Sequence, residues 1–535
     1  MIYQIQFSMK IKITVLLTVT LFFSLCTFAQ RKKVLLIPLD DRPPCLQFTE
    51  RMGLIGLTDV ISPPRELLGK FTKPGDPDQI IEWLRKQDLS TFDAAIISLD
   101  MIAYGGLVAS RVYNNDLRQA LNRIKIINNI REKAPELPLY GQSVIMRLAP
   151  TSDGKNEAYR EKLARWADIS PYPENKSETK KLEGEIPEEA LNSYINARQR
   201  NLSINREALK LTERGILDYL ILSQDDAKPR GIHIADRNSL ITEIEQQKLS
   251  DRVIIQPGTD EISMLLLARA LNKAQKISPR VFVKYSSETS ADKAMPFEDR
   301  PLRKTVGYNI IAAGASEVKE ESDADLLFYV FVSRFDQGIA KSFGSDIQKQ
   351  IVKGKKVIVA DIDPKGDVQG GDSTFTEDLL KRRLFPDLYG YASWNTAGNT
   401  IGTTLPQGLI FHLANQKLMT NPMQNSKVLS AQKWFTLHRL LDDYVFHTIV
   451  RPKANEYFRQ NNRSGFERPE EVARQVEKYS KELLQPIFKT LSTIYIEKKS
   501  EILPANLNCI PENMTFSLPW NRTFEAEIGF EMICR

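Results

Sequence analysis

The stretch "VLLIPLDDRPPC", residues 34 to 45, begins as a run of aliphatic residues and ends in two adjacent carboxylates. An apolar run without alternation is typical of a strand that is covered on both faces, as in parallel sheets. Asp40 and Asp41 follow the run at once, and Arg42 precedes two prolines that cannot continue the strand. The sequence therefore predicts a buried strand that delivers charged side chains at its C-terminal end.

The same pattern recurs along the chain. "LILSQDDAKPRG" (220–231) and "VIIQPGTDE" (253–261) place Asp225 with Asp226, and Asp260 with Glu261, after aliphatic runs. The predicted strands lie within 34–40, 93–100, 137–147, 219–226, 252–261, 280–287, 325–333, 356–363 and 388–399. Helical patterns such as 117–136 and 261–276 lie between them. This repeated order of strand and helix predicts an α/β fold with a parallel sheet.

Polar residues stand at the C-terminal end of nearly every predicted strand. They are Asp40, Asp100, Arg147, Asp226, Glu261, Tyr285, Asp361 and Asn395. An open sheet binds its ligand at one switch point, whereas all the strand ends of a (β/α)8 barrel converge on one mouth. We therefore expect a TIM-like (β/α)8 barrel, although the nine predicted strands exceed eight by one.

The ends of the chain differ from its middle. Lysines, an apolar run and Thr27-Phe28-Ala29 predict a signal peptide over residues 1–29, cleaved after Ala29, and hence a periplasmic or extracellular protein. Leu25 before Cys26 is too bulky for a lipoprotein signal. A barrel-like catalytic domain is expected over 30–426, with a helical insertion at 151–215. The remaining 427–535 should form helices that end in a small β segment.

Composition restricts the partners. Lys and Arg number 73 against 67 Asp and Glu, and this net charge of +6 is spread thinly, so nucleic acid is not an expected partner. The apolar run of the signal is short for a bilayer, and no membrane span is expected in the mature chain. Cys509 and Cys534 flank the terminal segment and either form a disulfide or stay as free thiols.

The sequence contains few histidines that could act in catalysis. Only His233 of the four histidines lies near a predicted strand end, which disfavours a multi-histidine zinc site and a Ser-His-Asp triad. GxSxG, a P-loop and GxGxxG after the first strand are all missing. No cofactor and no metal are therefore expected. Carboxylate pairs suit a general acid beside an ionised partner, although loop-capping aspartates would give the same pattern.

Carboxylates with aromatic residues and almost no histidine favour glycoside hydrolysis of a carbohydrate substrate. The adjacent Asp225 and Asp226 suit substrate-assisted hydrolysis of an N-acetylated amino sugar, with Asp225 orienting the acetamide and Asp226 as the acid. This dyad is similar to that of barrel hexosaminidases acting on N-acetylglucosaminides. Glu261 is an alternative acid. The expected substrate-binding residues are Asp40, Asp41, Arg42, Asp100, Tyr104, Arg147, Asp260, Tyr285, Trp394 and Asn395.

Two other functions stay open. The aspartate pairs could bind Mg²⁺, Mn²⁺ or Ca²⁺ in a metal-dependent hydrolase, or the protein could bind a glycan in the envelope without turnover. For the first strand we expect Asp40 to point into the pocket and Asp41 to pair with Arg42 or cap the turn, because successive strand residues point to opposite faces.

Long motifs carry a family resemblance. They are "PLDDRPPC" (38–45), "SPPRELLGKFTKPGD" (62–76), "SLDMIAYGGLVASR" (98–111), "SQDDAKPRG" (223–231), "PGTDE" (257–261) and "LPWNRTFE" (518–525). With them the chain resembles, over most of 33–530, an exported bacterial family catalogued as domain of unknown function 4127. The resemblance implies no activity. It implies that these motifs belong to one shared site or one shared scaffold.

Overall fold

The computed structural model describes residues 31–461, 469–497 and 509–534, so the predicted signal peptide lies outside the described residues. The strands are β1 (Lys32–Ile37), β2 (Thr58–Ile61), β3 (Ala94–Ser98), β4 (Leu139–Ile145), β5 (Tyr219–Gln224), β6 (Val253–Pro257), β7 (Arg280–Tyr285), β8 (Ser316–Glu317), β9 (Leu326–Phe331), β10 (Val357–Asp361), β11 (Gly390–Ala392), β12 (Cys509–Ser517) and β13 (Glu527–Cys534). Each of the nine predicted strands overlaps one of these. The two that sequence reasoning missed before residue 400, β2 and β8, are short edge strands.

The strands belong to two parallel sheets and one antiparallel hairpin. The first sheet has the order β2-β1-β3-β4-β5-β6, the second has the order β11-β10-β9-β7-β8, and β12 pairs with β13. The prediction of an α/β fold with parallel strands is confirmed. The prediction of a closed (β/α)8 barrel is not confirmed, because within the described residues no strand of the first sheet pairs with a strand of the second. Two open sheets stand where one barrel was expected.

Helices fill the connections. They are α1 (Gln47–Ile55), α2 (Pro77–Arg85), α3 (Leu99–Tyr104), α4 (Leu107–Ser110), α5 (Leu117–Ile124), α6 (Ile126–Lys133), α7 (Arg160–Ile169), α8 (Lys176–Glu185), α9 (Glu188–Glu213), α10 (Ile232–Gln246), α11 (Ile262–Ala274), α12 (Glu288–Ala291), α13 (Leu302–Ala312), α14 (Gln337–Val352), α15 (Ser373–Lys381), α16 (Ala397–Leu413), α17 (Pro422–Arg439), α18 (Arg451–Asn461) and α19 (Glu470–Glu497). Two π-helical segments, Ala414–Leu418 and Leu440–Val450, continue α16 and α17. The predicted insertion 151–215 contains α7, α8 and α9.

Helices cover both faces of the first sheet. Alternate residues of β1 illustrate this, because Val34 and Leu36 pack in one core cluster whereas Leu35 and Ile37 pack in another. The crossover from β1 to β2 runs in the opposite direction to the later crossovers. Since such crossovers are right-handed, α1 lies on one face while α2, α5, α6, α9 and α10 lie on the other. A switch point therefore lies between β1 and β3.

Two helices join the sheets. The core cluster that holds α11 also holds α16 and strands of both sheets, and α11 packs directly against α16. The contact is close because Gly402 of α16 lies over Glu261, where an added Cβ would come within 2.2 Å of the Glu261 Cγ. The two sheets are thereby fixed against each other near the loop that follows β6.

The C-terminal hairpin packs against α17. Trp434 Nε1 donates a hydrogen bond to the Phe530 carbonyl (2.8 Å), and His438 Nε2 lies 2.9 Å from the Ile528 carbonyl. A disulfide joins Cys509 to Cys534 and so closes the hairpin. The boundary proposed at residue 426 stays a prediction. Within the described ranges, no helix combines the length and hydrophobicity that a bilayer crossing requires.

Replacing both Cys509 and Cys534 with Ser should lower the free energy of unfolding by about 3 kcal/mol, because the bridge closes a loop whose ends are 25 residues apart. Guanidinium titrations with and without reductant measure the effect. Reductant should lower the stability of the wild type and leave the double variant unchanged. Equal stability of the reduced and oxidised wild type would contradict the prediction.

Candidate functional site

A cavity of about 390 Å³ lies where the C-terminal strand ends of both sheets meet. The first sheet contributes segments that follow each of its strands, β1 to β6, and the second contributes segments that follow β7, β10 and β11. The turn between β12 and β13 completes the lining. The charged residues of its lining are Arg42, Arg111, Arg147, Arg160, Arg522, Asp225, Asp226 and Asp260. Phe71, Phe297, Trp520 and Phe524 are its aromatic residues. The strand ends converge as predicted, but they do so because two open sheets face one cleft.

Arg42 forms the floor of the cavity and is almost fully buried. Its Nη2 lies 2.7 Å from Asp40 Oδ2, and its Nη1 and Nη2 donate to both oxygens of Asp260 at 3.0 and 2.7 Å. The Trp520 ring covers the guanidinium at 4.6 Å. A buried guanidinium needs such partners, because an uncompensated charge away from water is costly. One side chain thus ties β1, the loop after β6 and the C-terminal hairpin together.

The two aspartates after β1 are arranged differently from the prediction. Asp40 is the partner of Arg42, whereas Asp41 accepts a hydrogen bond from Trp520 Nε1 at 2.6 Å and lies 3.6 Å from Arg65 Nε. Neither aspartate lines the cavity. The expectation that Asp40 points into the pocket, with Asp41 pairing with Arg42 or capping the turn, is therefore wrong. Asp40 is the aspartate that pairs with Arg42 and also accepts a hydrogen bond from its backbone N–H. The strand ends at Ile37, so strict alternation no longer governs residues 40 and 41.

Asp225 and Asp226 each have an arginine partner. Arg111 holds Asp225 through two hydrogen bonds of 2.9 Å, and Arg147 Nη1 donates to Asp226. The Asp225 side chain is only 4 % exposed, while that of Asp226 is 38 % exposed. Asp226 also has a φ of 32°, which is unusual for a residue other than glycine and is often found at functional sites. Of the two, Asp226 is the carboxylate that a ligand can reach.

Glu261 lies behind the cavity wall and is completely buried. Burial raises the pKa of Glu261 to about 8. Its Oε2 accepts a hydrogen bond from Asn399 Nδ2 at 2.6 Å, and Asn399 lines the cavity. Burial likewise raises the pKa of Glu298, here to about 7, and its Oε1 accepts a hydrogen bond from the Gly398 amide. These two glutamates position the start of α16, and Glu261 itself does not line the cavity.

The other predicted binding residues divide into two groups. Arg147, Asp260 and Asn395 line the cavity, and Asn395 has a φ of 54°. Four others lie outside the lining, namely Asp100, Tyr104, Tyr285 and Trp394. Asp100 accepts a hydrogen bond from the Val144 amide at 2.9 Å, and Trp394 Nε1 donates to Thr403 Oγ1 at 3.0 Å. Asp100 and Tyr104 lie in α3 just after β3, Tyr285 ends β7, and Trp394 follows β11. All four residues are buried outside the cavity lining.

Sequence reasoning missed several lining residues. Phe71, Arg111, Trp520, Arg522 and Phe524 all lie in the long motifs, so the motifs themselves carried the signal. Arg160, Phe297 and Asn399 lie outside those motifs, and nothing in the sequence singled them out. Within the described parts of the chain, no group of three His, Cys, Asp or Glu side chains is placed to hold a metal ion.

A second cavity of about 250 Å³ adjoins the first. The two share Val108, Arg111, Pro150 and Thr151 in their linings. Arg111 Nη1 donates to Thr151 Oγ1 at 2.9 Å and so helps to shape the shared wall. The second lining combines apolar residues with polar ones, among them Thr72, Asn114 and Asn156. Together the cavities form an elongated cleft.

Comparison with known proteins adds one finding. The family profile described as "Protein of unknown function (DUF4127)" matches residues 34–529. Neither the curated proteins nor the solved structures gave a match. All the lining residues fall within the matched range.

Replacing Glu261 with Gln should reduce the loss of stability between pH 5 and pH 8. The folded protein holds this proton up to about pH 8, whereas the unfolded chain releases it near pH 4.5, so folding weakens as the pH rises through this window. The wild type should lose at most about 1.4 kcal/mol per pH unit relative to Glu261→Gln.

Urea unfolding at pH 5, 6.5 and 8 measures this difference. Glu213→Gln, at the exposed end of α9, is the control, and its free energy of unfolding should depend on pH as that of the wild type does. If the free energy of unfolding changes with pH equally in the wild type and in Glu261→Gln, then Glu261 is not held as the neutral acid.

Proposed function

We propose that this chain, which belongs to the DUF4127 family, is an exported glycoside hydrolase that acts on N-acetylated amino sugars. The observation that carries the proposal is the placement of one reachable carboxylate, Asp226, in a cavity with aromatic walls. Carboxylates flank the scissile bond in most glycosidases, and aromatic rings pack against the apolar faces of sugars. The disulfide Cys509–Cys534 supports export, because such bonds persist in oxidising compartments.

The two adjacent aspartates would have different roles. Arg111 fixes both oxygens of Asp225, so this carboxylate is suited to orient a substrate N–H rather than to move. Asp226 has one arginine partner and is partly exposed, so it can contact the glycosidic oxygen. Substrate-assisted hydrolysis needs this division, because the acetamide of the sugar itself attacks the anomeric carbon while one carboxylate orients it.

The adjoining cavity supports a glycan longer than one sugar. The polar residues of its lining offer hydroxyl and amide groups to a neighbouring unit of the chain. Its volume of about 250 Å³ adds to the 390 Å³ around Asp226. The proposed substrate is therefore an oligosaccharide that extends from the aromatic residues towards Asn114 and Asn156.

Replacing Asp226 with Asn should lower the rate of glycoside cleavage by about 10²–10⁴-fold, the usual contribution of a catalytic acid or base. The assay is product detection by mass spectrometry on chromogenic N-acetylglucosaminides and wall glycans. Asp218→Asn is a matched control, because Asp218 and Arg131 form an ion pair with similar exposures of 33 % and 19 % outside the cavity.

The control variant should cleave at the wild-type rate after correction for stability. Equal cleavage by wild type and Asp226→Asn, or no cleavage by the wild type, would overturn the hydrolase proposal. Activity that EDTA removes and a divalent ion restores would instead support the metal-dependent hydrolase.

A second function, glycan binding without turnover, is favoured by a different observation. All three aspartates of the lining are paired with arginines: Asp225 with Arg111, Asp226 with Arg147, and Asp260 with Arg42. Guanidinium groups thus occupy oxygens of all three carboxylates with charge-assisted hydrogen bonds, an arrangement that suits binding of a ligand more than transfer of a proton. Retention of an oligosaccharide without any product after long incubation would select this function over hydrolysis.

A further inference from the structure

The cavity has more positive than negative groups. Five arginines and three aspartates line it, which leaves two positive charges in excess. Behind the lining, Glu525 accepts hydrogen bonds from Arg522 Nε and Nη2, and Asp40 accepts one from Arg42 Nη2, so these two carboxylates offset the excess in number. The compensation is uneven in position, because Asp40 and Asp260 both pair with Arg42 while none of these five carboxylates pairs with Arg160. A charge inside a cavity costs free energy unless it is compensated.

Arg160 is the arginine with the weakest compensation. It makes no side-chain hydrogen bond in the described part of the chain, and its Nε is buried without a partner. Its one ion pair is loose, with 3.9 Å between Nε and Glu157 Oε2. Arg160 begins α7, so the helical insertion brings this charge to the cavity.

Arg147 and Arg522 each have a guanidinium nitrogen that makes no hydrogen bond to a described residue. Arg147 uses Nε for the Ala149 carbonyl and Nη1 for Asp226, which leaves Nη2 without a hydrogen bond among the described residues. Arg522 uses Nε and Nη2 for Glu525, and its guanidinium is stacked over the Phe71 and Trp520 rings. By contrast, Arg42 and Arg111 use all three nitrogens on partners that surround them.

We infer that Arg160, with Arg147 and Arg522, binds an anionic group carried by the substrate sugar, either a carboxylate or a sulfate ester. Guanidinium groups bind such oxyanions through paired hydrogen bonds, and these are stronger than bonds between neutral groups. The inference rests on the proposed function, since it names the substrate class of the same site. It gives the helical insertion a role, which is to supply the specificity for charge.

The test compares charged sugars with their neutral parents. Calorimetric titrations of the full chain use D-glucuronate against D-glucose, and N-acetylglucosamine 6-sulfate against N-acetylglucosamine. The wild type should bind at least one charged sugar about ten-fold more tightly than its parent, and the better of the two identifies the anion. Equal affinity within both pairs, or no binding of either charged sugar, would overturn the inference.

Arg160→Gln should remove the preference for charge, so that the charged sugar and its neutral parent bind with similar affinity. Arg165→Gln is a matched control on the same helix, because Arg165 pairs with Glu178 outside the cavity. If Arg160→Gln melts at a lower temperature than the wild type, Arg160→Lys replaces it, and it should keep only part of the preference. An unchanged preference in Arg160→Gln would contradict the proposal.

The outcomes separate this inference from the proposed hydrolysis. Cleavage of neutral and charged glycosides at equal rates, with no effect of Arg160→Gln, would leave the hydrolase intact and remove the anion site. Binding of a charged sugar that depends on Arg160, with no cleavage of any glycoside, would leave the anion site intact and remove the hydrolase.

Discussion

The buried guanidinium of Arg42 is the constraint on which the arrangement of the site depends. It joins Asp40, two residues away, to Asp260, 218 residues away, and the Trp520 ring covers it. A charge in this position is tolerated only because both carboxylates reach all its nitrogens. The loop after β1, the loop after β6 and the C-terminal hairpin therefore have to meet at one point, and the cavity forms above it.

Neutral acids form a second layer behind these ion pairs. Burial raises the pKa of Glu261 to about 8 and that of Glu298 to about 7, and both contact the beginning of α16. Burial also raises the pKa of Asp361, at the end of β10 in the second sheet, to about 7. Each of these buried acids contributes stability that is lost as the pH rises through its raised pKa.

The prediction from sequence succeeded where the signal was local. Aliphatic runs located all nine principal strands, because burial on both faces leaves an uninterrupted apolar pattern. The paired carboxylates were placed correctly at strand ends, and three of them, Asp225, Asp226 and Asp260, line the cavity. The closed barrel was wrong because convergence of strand ends has two geometric solutions. One sheet can close on itself, or two open sheets can direct their ends into a shared cleft.

The sequence by itself determined the alternation of strand and helix, the parallel sheets and the charged ends of β1, β5 and β6. These features depend on residues within a few positions of one another, so the pattern of side chains is sufficient to fix them. Only the tertiary structure decided that Arg111 pairs with Asp225, 114 residues away, and that Arg160 stays nearly unpaired. Such contacts depend on the packing of distant segments, and a single sequence contains no measure of the distance between two side chains that the fold brings together.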